Sequence, residues 1–66
     1  MTQNEKIKLR TESNRRIHRH KRIIEKIEKL PETQSSQIIE NRKKKVQKSQ
    51  DIINIEQQKL TNLNEQ

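Results

Sequence analysis

The sequence predicts an all-α fold of two helices joined near Pro31, either a helical hairpin or a kinked helix pair, and three observations carry that expectation. Apolar residues recur at helical spacing in both halves of the chain. Glycine is absent from all 66 residues, which argues against a flexible linker. A single proline separates the two periodic stretches and disfavours helical geometry at the residue before it.

The first periodic stretch, residues 15–29, reads RRIHRHKRIIEKIEK. At 3.6 residues per turn it separates into two opposed stripes. Ile17, Ile24 and Ile27, with Ile23, Leu30 and His20 beside them, fill an apolar arc about 140° wide. Arg15, Arg19, Arg22, Lys26 and Lys29 follow one another at spacings of four, three, four and three, which makes a continuous cationic ridge opposite that arc. Upstream, Leu9 and Lys8 project onto the apolar and cationic stripes respectively, while Ile7 falls off the arc. Asn4 is a candidate N-cap with Glu5 in the first turn, and Ser13-Asn14 offers a competing start. The expected first helix is residues 5–30.

Beyond Pro31 the chain is polar, and Thr33, Ser35 and Ser36 are candidate N-caps for the second helix. A linker over 31–35 suits an antiparallel hairpin. The lack of glycine leaves a tight reversal without a left-handed residue, so a kinked extended pair stays open. The second helix is expected over residues 36–62. Ile39, Val46, Ile53 and Leu60 hold one heptad position for more than three repeats. The companion position reads Arg42, Ser49, Glu56 and Leu63, so one line of the seam is expected to be dry. Residues 63–66 are expected to fray, and residues 1–66 to make one small domain.

The apolar set is ten Ile, four Leu, one Val and one Met, with no aromatic residue, alanine or cysteine. So thin a set predicts a marginal monomer that gains stability from self-association or from its target. High polarity without aromatics keeps disorder open as well, although the composition favours helix. Lacking cysteine, the chain has no disulfide or thiol chemistry. No apolar run exceeds two residues, so neither a membrane span nor a signal peptide is expected.

The formal charge of +7 will attract polyanions. Residues 1–30 hold ten Lys/Arg against four Glu, whereas residues 31–66 hold six against five acids. Residues 13–24 contain five cations and no acid. That segment resembles the short arginine-rich motifs with which antitermination peptides and some viral regulators lay a helix into an RNA groove. The resemblance covers Asn14, Arg15, Arg16, Arg19, Lys21 and Arg22. It implies phosphate contacts from Arg15, Arg19 and Arg22, with Asn14 and Arg16 within reach of base edges. Lys26 and Lys29 continue the ridge. Asn14 and Arg22 are also spaced as in the basic region of leucine-zipper DNA-binding proteins. Ile17 and His18 replace that family's small residues, however, and Pro31 interrupts the helix where the zipper should begin. A basic helix-loop-helix reading fails for want of the base-reading glutamate.

Arg42, Lys43, Lys44, Lys45 and Lys48 form a second basic run whose side chains spread around the helix. Lys43 and Lys44 are its candidate phosphate contacts, and Glu40–Lys44 is a helical ion pair in the alternative reading. No catalytic residue is expected: no Gly-rich loop exists, the histidines have no Asp near them in sequence, and Glu25 and Glu28 have no apolar pocket. His18 and His20 point about 200° apart on a helix, so no metal site is expected. His20 is expected on the apolar face and His18 beside the ridge. The expected function is therefore an intracellular, cytoplasmic or nuclear, nucleic-acid-binding protein that favours RNA. It needs no cofactor and no small-molecule substrate. The alternative is a helical hairpin or coiled-coil module, a homodimer or one that takes a partner helix, which binds an acidic protein. For either role the helix-packing residues are Ile17, Ile24, Ile27, Ile39, Val46, Ile53 and Leu60.

Overall fold

The computed structural model describes residues 2–65 and contains two α-helices, α1 (Gln3–Glu28) and α2 (Ser36–Asn64). Three cross-links between residues far apart in sequence show that they form an antiparallel hairpin. Arg10 Nη2 donates to Asn64 Oδ1 at 3.1 Å, Arg16 Nη1 to Glu56 Oε1 at 3.4 Å, and His20 Nδ1 lies 3.2 Å from Ser49 Oγ. The Cα extents of 52 × 15 × 11 Å fit this reversal; a continuous kinked pair would run to about 90 Å at 1.5 Å per residue.

The helix ends correct three sequence expectations. The N-cap is Thr2, not Asn4 or Ser13, because Glu5 sits three residues on and completes a capping box. Thr2 Oγ1 accepts from the Glu5 N–H, and the Thr2 N–H donates back to Glu5 Oε2. Helix α1 stops at Glu28, two residues short of the expected end, because Pro31 holds the residues before it out of the helix. At the far end, α2 runs to Asn64 where fraying was expected: Leu63 is buried and Asn64 accepts from Arg10.

The connector manages without glycine by being long. No described residue has positive φ. Instead the chain leaves α1 through Lys29 and Leu30, whose N–H groups donate to the Glu25 and Ile27 carbonyls, and residues 31–35 cross to α2 outside either helix. Thr33 Oγ1 accepts from the Ser35 N–H, and Ser35 caps α2 by accepting from the Ile38 N–H. Arg42 then reaches back from α2, its Nη1 2.8 Å from the Pro31 carbonyl oxygen.

The interface is half polar. Its buried residues are Ile17, Ile53 and Leu63 together with Ser13, Ser49 and Glu56. Both heptad lines of α2 face α1: Arg42, Val46 and Leu60 are half-buried, and Ser49, Ile53, Glu56 and Leu63 are buried. The companion line is part of the seam, as its heptad spacing predicts, and its polar residues are matched by polar residues on α1. His20 meets Ser49, while Ser13 and Arg16 meet Glu56. Of the apolar residues assigned to packing, Ile24, Ile27, Val46 and Leu60 are half-buried. Ile39 is the correction, at 37% exposed. It begins the heptad beside the connector, at a level where α1 has already ended.

Candidate functional site

Helix α1 presents its cationic ridge away from α2. The interface residues Ser13, Ile17, His20 and Ile24 centre on one direction of the helical wheel, and Arg15, Arg19, Arg22, Lys26 and Lys29 centre about 160° away. All five are exposed. The side chain of none of the five forms an ion pair or hydrogen bond with another described residue. Their charge is therefore open to an external anion. Arg15, Arg19, Arg22 and Lys26 border an open furrow of about 720 Å³, with Thr11, Asn14 and His18 along one edge and Ile23 along the other. From Arg15 to Lys26 the ridge runs about 16 Å, three helical turns.

The arginine-rich segment does not act as one surface. Arg15, Arg19 and Arg22 stand on the ridge and Asn14 flanks it. Arg16 turns toward α2 and pairs with Glu56, although its side chain keeps 48% exposure. Lys21 lies on the other side of the hairpin, beside Ile24, Gln50 and Gln57. The second basic run divides too. Arg42 is committed to the Pro31 carbonyl, while Lys43, Lys44, Lys45 and Lys48 are exposed in different directions around α2.

Two features of the site go beyond the sequence expectations, though each has a signal in the sequence. Glu56 occupies the companion heptad position, and an acid there requires a cation from the facing helix. Its Oε1 accepts from Arg16 at 3.4 Å and from Lys59 at 3.3 Å, whereas Oε2 is buried without a hydrogen-bond partner. Burial raises the pKa of Glu56, but the Ser13 hydroxyl, the Lys59 ammonium and the Arg16 guanidinium together hold it below the ordinary carboxylate value. The second feature is an amide ladder on the outside of α2. Gln37–Asn41, Gln47–Asp51, Gln50–Asn54 and Gln58–Asn62 each make an i,i+4 side-chain hydrogen bond of 2.8–3.2 Å. Each such pair supports the helix by about 0.2–0.5 kcal/mol. The two outer faces therefore differ in kind: cationic on α1 and largely amide on α2.

Among the described residues no three His, Cys, Asp or Glu side chains gather where they could hold a metal ion. His20 sits in the interface against Ser49, and His18 faces the furrow. No helix is long and apolar enough to cross a membrane among the described residues. Comparison with protein-family models, curated proteins and solved structures gives no match.

Proposed function

We propose that this hairpin binds structured RNA through the α1 ridge, which lies along the phosphate backbone. The carrying observation is that Arg15, Arg19, Arg22, Lys26 and Lys29 are aligned, exposed and free of described acidic partners. Cations kept out of internal pairs on one face over about 21 Å can meet several phosphates at once. Guanidinium forks suit bidentate phosphate contact. With no aromatic side chain there is no platform on which to stack single-stranded bases, which favours backbone contact with a structured target. Asn14, at the furrow's edge, is placed to reach a base, whereas Arg16 would first have to leave Glu56.

Salt titration of binding to duplex RNA tests this reading. Every phosphate that the protein no longer neutralises lowers the slope of log affinity against log salt by about 0.9 on duplex DNA, with the same sense on RNA. Changing Arg15, Arg19 and Arg22 together to Glu is expected to flatten the slope by more than about two units. The same change at Lys43, Lys44 and Lys45, whose directions diverge, is expected to flatten it by about one. Equal effects would assign the attraction to net charge instead of the ridge. Absence of binding at about 100 mM salt would favour a protein-interaction role.

A further inference from the structure

We infer that the hairpin pairs with a second copy of itself through the flank that carries Arg16 and Lys59, forming an antiparallel four-helix bundle. Leu9, Ile23 and Ile27 on α1 lie within about 20° of the Arg16 direction, and Leu30 follows them where the chain leaves the helix. On α2, Ile38, Ile52 and Ile55 lie within about 60° of Lys59. Leu9, Leu30, Ile38 and Ile55 are 42%, 47%, 44% and 55% exposed, and Ile23, Ile27 and Ile52 are half-buried. Most of the large apolar side chains that the hairpin leaves in solvent are thus on one flank, with only Ile7 and Ile39 elsewhere among the described residues.

The exposed area leaves room for a second copy. A compact chain of 8.0 kDa would expose about 4,450 Å². This one exposes 5605 Å². The surplus, about 1,150 Å², exceeds the ~800 Å² that a standard interface takes from each partner, so one such interface can be accommodated. Charge permits the pairing, because the ridge is centred about 90° from this flank and stays in solvent when two flanks meet. The distribution along the flank also suits a two-fold axis. The Arg16–Glu56 and His20–Ser49 contacts set the level of one helix against the other. By that register Ile52 lies midway between Leu9 and Leu30. An antiparallel two-fold there sets Leu9 near the second copy's Leu30, and half-buried Glu12 near the second copy's Lys45. Lys59 is already held by Glu56. The pairing is independent of RNA binding, so neither result decides the other.

Sedimentation equilibrium of the full chain in RNA-free buffer tests the inference. The expected mass is twice 8.0 kDa at high micromolar concentration, with dissociation on dilution. Leu30→Glu with Ile38→Glu is expected to raise the dissociation constant tenfold or more, whereas Ile7→Glu with Ile39→Glu leaves it within about threefold. Because the chain has no cysteine, single replacements report the geometry without interference and without relying on the charged variants folding. Ile52→Cys, near the two-fold, is expected to form a disulfide-linked dimer under mild oxidation, and Ile7→Cys to remain reduced. A monomer mass at every concentration overturns the inference. So do equal effects of the two double variants, or cross-linking at Ile7→Cys as fast as at Ile52→Cys.

Discussion

Glu56 shows at the scale of one residue how this interface gives up apolar area to polarity. Its side chain is 6% exposed and one oxygen lacks a partner, yet its two cations are about half in solvent. Solvent screening keeps such a pair weak, so it specifies more than it stabilises. Its folded pKa lies below the unfolded value of about 4.5, so the ionised residue contributes stability that is complete above that pH and is lost as pH falls through the folded pKa. Parent melting temperature is therefore expected to fall between pH 5 and 3 by more than that of Glu56→Gln, which has no such proton to take up. Glu56→Leu is expected to stabilise at neutral pH by about 1–2 kcal/mol, since it dries one layer and leaves Arg16 free in solvent. A lower melting temperature for Glu56→Leu than for the parent would show that this carboxylate holds the helices together.

The elements were legible in proportion to how local their causes are. Helix existence followed from periodicity, and Pro31 marked the break, because both act through neighbouring residues. The ends were less legible, since Thr2, Asn4 and Ser13 can each cap a helix, and only the tertiary fold decides. Ser13 is consumed by the interface, and Thr2 wins by its reciprocal bond with Glu5. The second line of the seam was legible by its spacing, but the burial of Ser49 and Glu56 was not, because an acid at a heptad position reads as surface until its partner on the other helix is known. The ridge was legible because a helix face is a local property. The engagement of Arg16 and the inward turn of Arg42 were not, because both depend on a residue brought close only by the hairpin. Ser35 starts α2 and ends the connector at once. Ser35→Ala is expected to cost about 1 kcal/mol in chemical denaturation, and Ser36→Ala a few tenths, because only Ser35 accepts a backbone N–H there. Equal losses would move the cap by one residue.

At the scale of the whole molecule, the ridge that suits a polyanion works against the folded chain. Arg15–Arg19, Arg19–Arg22, Arg22–Lys26 and Lys26–Lys29 are like-charge neighbours at i,i+3 or i,i+4, and none of these side chains forms an ion pair with a described acid. Each such pair destabilises a helix by about 0.2–0.5 kcal/mol, so the row costs about 1–2 kcal/mol at low salt. That is a large share for a hairpin whose buried apolar residues are Ile17, Ile53 and Leu63. The ion pairs at Glu56 pull the other way, since salt weakens attraction as well as repulsion. Repulsions along the ridge outnumber them, so repulsion should win. Raising salt from about 10 to 150 mM, which shortens the screening length from about 30 to 8 Å, is expected to raise the melting temperature of the parent. Replacing Arg15, Arg19 and Arg22 by Gln should raise the low-salt melting temperature and remove most of the salt response, because glutamine keeps helix propensity and loses the charge. A melting temperature that falls with salt in the parent would mean that attractive pairs dominate. An unchanged salt response in the triple variant would place the repulsion outside the ridge.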